Sequence, residues 1–246
     1  MHNGRLTVLG CEGSYPGPHS AGSGYLVTSE QSAIWLDAGT GTFERLRSVC
    51  DPRSLNAIVV SHEHRDHCGD LSRFAAWAAR EQAAPIPVLG PPGLIDAGAL
   101  GERQALRFIE VEPACCFDLN DLRLSFVATD HPPPTLAVRI QAIGGGAPAL
   151  AYSADTGPAW SVDELGDDIG VFLCEATYTA ELEPVFAHLG HLSGRQAGEM
   201  AARAEVRQLV LTHAWRHTDP ETLRAEASGS FSGPIHQASP GMMIQW

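Results

Sequence analysis

The chain has 246 residues, of which 44% are hydrophobic and 18% charged, and its formal net charge is −13. This length and composition are ordinary for one globular domain with a substantial core, and no run of about twenty apolar residues marks a membrane span. The acidic balance lacks the basic surface that tight binding of a large nucleic acid requires, so a long polyanion is a disfavoured partner.

The first residues of the chain and the spacing of its cysteines indicate in which cellular compartment the protein is expected. A strand-like segment, LTVLG, follows within a few residues of Met1 and leaves no room for a secretory signal. The six cysteines show no paired zinc-ribbon spacing, and the adjacent Cys115 and Cys116 are poor partners for each other. We therefore expect free thiols and a reducing, cytoplasmic location.

Apolar runs in the first half predict a series of strands broken by helices. The predicted strands are Leu6–Gly10, Gly24–Thr28, Ala33–Asp37, Ala57–Val60, Pro87–Gly90 and Leu106–Val111. The predicted helices are Thr42–Val49, Leu71–Arg80 and Gly93–Leu100. In Leu71–Arg80, Phe74 and Trp77 are three residues apart, a spacing typical of one helix face.

The second half repeats this mixture. Its predicted strands are Leu122–Ala128, Leu136–Ile140, Ala149–Ser153, Val171–Cys174, Gln208–Leu211 and Met242–Trp246, and its helices are Gly194–Ala204 and Pro220–Ala227. Three glycines, Gly144 to Gly146, predict a hairpin turn. With no repeat and no linker in the sequence, we expect one α/β (α+β) domain over residues 1–246, with two sheets face to face and helices outside.

A dense group of ligand-type side chains directly follows the strand Ala57–Val60. The segment SHEHRDH places His62, His64, Asp66 and His67 within six positions. Residues two apart on an extended chain point the same way, so His62 and His64 can converge on one point, with Asp66 and His67 beside a second. Imidazole mixed with carboxylate suits zinc, iron or manganese and favours a hydrolytic site over a structural one.

Three further candidates share one position, the loop just after a predicted strand. His131, Asp155 and His213 each stand there, where a rigid scaffold presents functional side chains. Their shared placement assigns them to the same site as the dense cluster.

These motifs together resemble the metallo-β-lactamase superfamily, and within it the ribonuclease Z-like branch. The residues that carry the resemblance are SHEHRDH at 61–67, TDH at 129–131, YSADTG at 152–157, CEAT at 174–177, GHLSGRQA at 190–197 and LTH at 211–213. The resemblance implies a four-layer αββα sandwich with a two-metal site at one edge of its sheets.

The resemblance also implies a role for each residue. His62, His64 and His131 would bind one divalent ion, Asp66, His67 and His213 the other, and Asp155 would bridge them. Two ions about 3.5–4 Å apart can share a water and lower its pKa. Asp66, Glu175 and His191 are the implied catalytic residues, with the Glu175 carboxylate orienting His191 as a general acid; the alternative for His191 is a cap on the helix near Ser193.

Several residues have two open interpretations. Asp37 is either an acid that holds a ligand imidazole or a turn residue before Gly39. The Gly/Ser-rich loop Gly13–Gly24 and His19 within it either approach a substrate phosphate or are solvated, and the same holds for Arg65.

The resemblance is closest to short bacterial proteins that degrade cyclic nucleotides. We therefore expect a phosphodiesterase for a small diester such as 3′,5′-cyclic AMP, with a hydroxide on the metals as nucleophile and His191 protonating the leaving oxygen. A tRNA 3′-processing endonuclease is the alternative, although the stretch from His131 to Asp155 leaves no room for the tRNA-binding arm, and a thioester or lactam hydrolase stays open. We expect two ions, with zinc ahead of manganese or iron, and the resemblance implies a homodimer.

Overall fold

The computed structural model describes residues 4–17, 19–94 and 103–246. Its strands are β1 Arg5–Gly10, β2 Gly24–Thr28, β3 Ala33–Leu36, β4 Ala57–Val59, β5 Ile86–Gly90, β6 Leu106–Glu110, β7 Cys116–Leu119, β8 Leu122–Ala128, β9 Leu136–Ala142, β10 Ala149–Tyr152, β11 Ile169–Glu175, β12 Gln208–Thr212, β13 Ile235–Gln237 and β14 Met243–Gln245. Its α-helices are α1 Thr42–Val49, α2 Arg65–Cys68, α3 Leu71–Arg80, α4 Glu183–Phe186, α5 Gly194–Arg203 and α6 Pro220–Ser228.

The strands form two seven-stranded sheets of matching design. One sheet has the order β14-β1-β2-β3-β4-β5-β6 and the other the order β13-β12-β11-β10-β9-β8-β7. Pairing is parallel from β3 through β6 and from β10 through β13, and antiparallel elsewhere. The first sheet therefore combines β1 to β6 with the C-terminal strand β14, and the second sheet consists of β7 to β13.

The buried apolar residues form three hydrophobic layers, one between the sheets and one on the outer face of each sheet. Alternate strand residues such as Ile34 and Leu36 on β3 and Val171 and Leu173 on β11 pack between the two sheets. Trp35, between the first two, points the other way and packs under α1 and α3. The outer face of the second sheet packs in the same manner under α5 and α6. This is the predicted αββα sandwich, because period-two alternation sends neighbours to opposite faces of a sheet.

Most predicted elements match those of the structure to within two residues. Sequence reasoning missed four short elements, β7, β13, α2 and α4, which lack enough residues for a periodic signal. The predicted helix Gly93–Leu100 lies largely outside the described residues. Among the helices that the structure describes, none combines the length and apolar character of a membrane span.

The ends of several strands meet at one edge of the sandwich. Asp37 follows β3, Ser61 and His62 follow β4, and Asp155 and His213 follow β10 and β12. Because β3 and β4 run parallel to each other, as do β10 through β12, their carboxyl ends open onto the same edge. Crevices at such edges are where open α/β sheets bind ligands.

Gly39 allows the two loops at this edge to touch. A Cβ atom at this position would lie 2.0 Å from the carbonyl oxygen of Asp66 and 2.5 Å from that of Ser23. We predict that Gly39→Ala displaces the Asp66 backbone and lowers the free energy of unfolding by about 1–3 kcal/mol. Chemical denaturation of the metal-free protein measures this change.

Gly229→Ala is the matched control for Gly39→Ala. Gly229 caps α6 with an ordinary helical φ of −64°, and its nearest neighbour for an added Cβ atom is the carbonyl oxygen of Glu226 at 3.2 Å. This substitution should leave stability within about 1 kcal/mol of the parent. Equal destabilisation by the two substitutions would contradict the close approach at Gly39.

Candidate metal centre

Two groups of side chains converge at the edge where the strands end. Ligand atoms of His62, His64, His131 and Asp155 lie within 4.8 Å of one another, and so do those of Asp66, His67 and His213. In the first group, His64 Nδ1 lies 2.9 Å from His62 Nε2 and 3.3 Å from His131 Nε2. The structure thus brings together all seven residues that the sequence proposed as ligands, in the predicted two groups.

Asp155 lies between the two groups. Its Oδ2 is 3.5 Å from His62 Nε2 and 3.9 Å from His131 Nε2. Its Oδ1 is 3.2 Å from His67 Nε2 and 3.4 Å from His213 Nε2. Each carboxylate oxygen therefore faces a different group, which is the arrangement that a bridging ligand requires.

The imidazole nitrogens that point away from the centre have hydrogen-bond partners. His131 Nδ1 donates to the carbonyl oxygen of Gly190 at 2.8 Å, and His67 Nδ1 donates to Asp37 Oδ2 at 2.7 Å. His213 Nδ1 lies 2.9 Å from Thr177 Oγ1, and His62 Nδ1 lies 3.0 Å from Ser61 Oγ. Such partners fix the tautomer of a metal-binding histidine, because a proton on Nδ1 leaves the Nε2 lone pair free.

Two buried atoms in the centre lack a hydrogen bond within the part of the chain that the structure describes. They are His67 Nε2 and Asp155 Oδ1, which face each other as an ion pair 3.2 Å apart, and a buried polar atom without a hydrogen bond is in a costly state. Burial by itself would lower the pKa of His67, but the carboxylates of Asp155 and Asp37 outweigh it and raise the pKa well above its ordinary value. The negative charge around His67 therefore favours a cation, so the residues present fit bound metal ions.

Asp37 holds the imidazole of His67 through the nitrogen that points away from the centre. The Asp37 side chain is fully buried, and its Oδ2 accepts hydrogen bonds from His67 Nδ1, from the Ser61 hydroxyl at 2.9 Å and from the Tyr152 hydroxyl at 2.7 Å. Its Oδ1 accepts from the Ser61 backbone N–H at 2.7 Å. Of its two open interpretations, the one in which it holds an imidazole agrees with this geometry.

We predict that Asp37→Asn weakens metal binding. The amide keeps the size of the side chain but removes the charge that holds the N–H of His67, and changes of this kind cost roughly 10- to 100-fold in metal affinity. Competition with a chromophoric chelator measures the change.

Asp70→Asn is the control for Asp37→Asn. Asp70 is also buried, but it accepts hydrogen bonds from the backbone N–H groups of Gly41 and Phe43 at the start of α1. This substitution should lower stability and leave the affinity for metal unchanged. Equal loss of affinity in both variants would show that Asp37 acts through general stability alone.

His191 and Glu175 form a second pair beside the ligands. His191 Nδ1 donates to Glu175 Oε1 at 2.9 Å. Burial alone would lower the pKa of His191, but the Glu175 carboxylate outweighs it and raises the pKa to about 9. The cap of α5 is formed instead by Ser193 and Gln196, so His191 does not have the capping role that was its alternative.

Glu175 is itself held in place by its surroundings. It is fully buried and also accepts hydrogen bonds from the backbone N–H groups of Thr156 at 2.8 Å and Leu192 at 3.1 Å. The Thr177 hydroxyl donates to its Oε2 at 2.7 Å. Since Thr177 also contacts His213 Nδ1, one hydroxyl connects the His191–Glu175 pair to a candidate metal ligand.

Three of the loops hold non-glycine residues in the left-handed region. Asp37, Ala154 and His213 have φ values of 55°, 53° and 59°, and each stands at or near the end of a strand. Such conformations are uncommon and cost free energy, and they cluster where the surrounding structure supports a functional site. The chain turns sharply at these points, which directs the adjoining side chains into the centre.

A cavity of about 360 Å³ opens over the candidate ligands. Its walls include His64, Asp66, Asp155, His191 and His213, together with Ser14, Tyr15 and Arg65. The backbone N–H of Ser14 donates to Asp66 Oδ2 at 2.6 Å. The Gly13–Gly24 loop therefore reaches the centre through Ser14, and Arg65 is among the residues that line the cavity.

His19 does not share this position. It lies outside the cavity walls and is exposed, and its carbonyl oxygen accepts a hydrogen bond from Arg45. Of the two interpretations of His19, the solvated one agrees with the structure.

Sequence reasoning did not assign a role to several residues that support the site. Thr177 and Tyr152 lie within the CEAT and YSADTG motifs, but their contacts cross from one strand end to another and leave no local spacing signal. The carbonyl oxygen of Gly190 acts through the backbone. The N–H of Ser14 does so too, although the sequence had linked the loop of Ser14 with a substrate phosphate and not with Asp66. The signal that could have identified Thr177 is its hydroxyl group within the CEAT motif, because metal-binding histidines need a hydrogen-bond partner for their second nitrogen.

Comparison with known protein families gives a clear match. Residues 33–214 match the family described as the Beta-lactamase superfamily domain. The chain is 35% identical to an uncharacterized protein of Mycobacterium tuberculosis, over 94% of this chain and 88% of that protein. It is 28% identical to a Ribonuclease Z of Mycobacterium bovis, over 94% of each chain.

A further relative has a solved structure with the same fold. The sequence is 27% identical to the probable metallo-hydrolase YhfI of Bacillus subtilis, over 97% of this chain and 98% of that one. The crystal structure of YhfI superposes with a TM-score of 0.90, covering 100% of both chains at 24% identity. The fold and the likeness to ribonuclease Z-like proteins that the sequence motifs predicted are therefore confirmed.

Proposed function

This chain belongs to the β-lactamase superfamily, and on that premise we propose that it is a two-metal phosphodiesterase for a small cyclic nucleotide, with 3′,5′-cyclic AMP as the leading candidate. The observation that carries the proposal is the position of the His191–Glu175 pair beside Asp155 and the two histidine groups. Ligands for metal ions and a proton donor for a leaving oxygen then face one cavity.

The proposed centre assigns the ions to the two groups of side chains. His62, His64 and His131 would hold one, Asp66, His67 and His213 the other, and Asp155 would contribute one oxygen to each. When bound, two divalent ions would supply an acidified water and would neutralise charge on a phosphoryl group. A donor set of five imidazoles and two carboxylates suits zinc, with manganese or iron as alternatives.

The side chains around the ligands carry the rest of the proposed mechanism. Glu175 accepts a hydrogen bond from His191 Nδ1–H, which leaves Nε2–H to donate its proton to the oxygen that departs from phosphorus. Asp66, held by the backbone N–H of Ser14, is proposed both as a ligand and as a catalytic carboxylate. Arg65 lines the same cavity, and we propose that its guanidinium group meets the anionic diester.

A ribonuclease function is the second candidate, because a Ribonuclease Z is among the relatives. The stretch between His131 and Asp155 consists of β9, β10 and their connecting turns, which supports a small substrate over tRNA. The net charge of −13 also disfavours a long polyanion.

We further propose a homodimer, which light scattering of the purified protein would test.

The test is a substrate screen on protein that has been stripped of metal and reloaded with zinc or manganese. The screen includes cyclic AMP, cyclic GMP, bis(p-nitrophenyl) phosphate, precursor tRNA, a thioester and a β-lactam. We expect turnover of the cyclic nucleotides that depends on added metal, without cleavage of tRNA. Cleavage of precursor tRNA in preference to the small diesters, or turnover of the thioester or lactam alone, would overturn the proposal.

A further inference from the structure

A second groove lies directly beside the cavity over the candidate ligands. It has a volume of about 480 Å³, and Tyr15, Leu182 and Trp215 contribute its apolar walls. Ser14 and Tyr15 line both spaces. The groove therefore continues from the candidate metal centre.

Two loops fix the position of this groove. The backbone N–H of Gly13 donates to the carbonyl oxygen of Ala214 at 3.0 Å, and Glu12 pairs with Ala214 in an isolated bridge. A Cβ atom at Gly13 would lie 2.6 Å from the carbonyl oxygen of His213. The loops are therefore in close contact at the candidate ligand His213, and Tyr15 and Trp215 stand just beyond that contact.

One wall of the groove is a rigid aromatic surface. The ring of Trp215 packs edge-on to Phe186 with centroids 5.0 Å apart, and lies 5.7 Å from the ring of Tyr178. Tyr178 is fully buried, while Trp215 keeps part of its surface open to the groove. A held indole ring of this kind offers a flat face for stacking.

Tyr15 contributes a second aromatic ring to the lining of the groove. Tyr15 is 85% exposed, and its side chain makes no hydrogen bond or ring contact that the structure describes. Arg216 and His217, both exposed, add polar groups at the groove. Aromatic rings that stack a base, together with a few polar groups, are a common way to hold a nucleobase.

We propose that this groove binds the purine base of the substrate while the diester lies in the adjoining cavity, with Tyr15 and Trp215 as the specificity-determining residues. This inference rests on the proposed function, since it names the part of a cyclic nucleotide that the groove holds. In a cyclic nucleotide the ribose separates the base from the cyclic phosphate. The groove and the cavity are likewise separate but adjoining spaces, which share Ser14 and Tyr15.

The test compares two substrates that share one scissile bond. These are cyclic AMP and ribose 3′,5′-cyclic phosphate, which lacks the base. In Tyr15→Ala we expect kcat/KM for cyclic AMP to fall roughly 10-fold, mainly through KM, since stacking of one base has about this effect. The base-free substrate should change less than about 2-fold by the same reasoning. Tyr15→Phe should restore cyclic AMP turnover, and Met243→Ala, at an exposed apolar side chain on β14, is the control.

A binding measurement separates this inference from the proposed function. Adenosine is titrated into metal-free protein and followed by NMR, with Tyr15→Ala and Trp215→Leu alongside. Weaker binding of adenosine to both variants supports the groove even where no diester is hydrolysed. Equal losses on both cyclic substrates, or adenosine binding that neither variant changes, would overturn the inference while leaving phosphodiester hydrolysis intact.

Discussion

Replacing Asp155 with alanine is expected to remove at least one metal ion and nearly all of the proposed phosphodiesterase activity. Asp155 is buried, and its two oxygens lie 3.2–3.9 Å from nitrogens of His62, His67, His131 and His213. Loss of about 4 kcal/mol of transition-state stabilisation corresponds to roughly a thousandfold lower kcat/KM. Elemental analysis and cyclic AMP turnover measure the two effects on one sample.

The physical reason is the balance of charge in the centre. Burial alone would raise the pKa of Asp155, but His213 and His67 outweigh it and hold the pKa well below its ordinary value. The carboxylate is therefore ionised among several imidazoles. Alanine would leave those imidazoles without their shared acceptor and would leave two cations without a shared ligand.

Two further variants make the result specific. Asp155→Asn keeps the size of the side chain and should retain part of the metal but little activity. Asp167→Ala removes an exposed carboxylate and should change neither quantity. Full metal content and full activity in Asp155→Ala would refute a bridging role for this carboxylate.

Local sequence patterns specify much of the fold. The helix Leu71–Arg80 was predicted with its observed bounds, because Phe74 and Trp77 mark one apolar face of a ten-residue segment. The strand β11 was predicted as Val171–Cys174 and is longer in the structure. All of its residues from Ile169 to Glu175 are buried. Glu175 is a charged residue inside a buried strand, and only its hydrogen bonds to Thr156, Thr177, His191 and Leu192 account for its burial.

The candidate site was predictable to the extent that its residues lie in dense motifs. The segment from His62 to His67 carries its own spacing signal, and Asp155 and His213 share a position after predicted strands. The pairing of Tyr152 with Asp37 has no such signal, because the two residues lie on different sheets. Likewise, Trp215, two residues after His213, has no sequence signal of its own, and its relation to Tyr15 is visible only in the structure, where both line one groove.

Replacing His191 with alanine is expected to slow the enzyme in a way that depends on the leaving group. A general acid contributes about 10²- to 10⁴-fold when the departing oxygen needs a proton. Cyclic AMP releases a ribose alkoxide and should lose activity on this scale. A p-nitrophenyl diester releases a stable phenolate, so its hydrolysis should fall much less. Steady-state kinetics on both substrates, with elemental analysis of the same protein, measure this difference.

Glu175→Gln tests the partner of His191. Glutamine keeps the size of the side chain but lacks the charge that favours protonated His191. Because Thr156 and Leu192 donate to different oxygens of Glu175, the single amide oxygen keeps only one of these two backbone hydrogen bonds. This variant should therefore show the same dependence on leaving group as His191→Ala, with a smaller loss.

His188→Ala is the matched control for His191→Ala, since it removes an exposed imidazole three residues away. It should leave the rates on both substrates near those of the parent. Because ligand atoms of His191, Asp155 and His213 also lie within 4.8 Å of one another, metal content decides between two roles for His191. Loss of metal, with equal loss of activity on both esters, would make His191 a ligand instead of the proton donor.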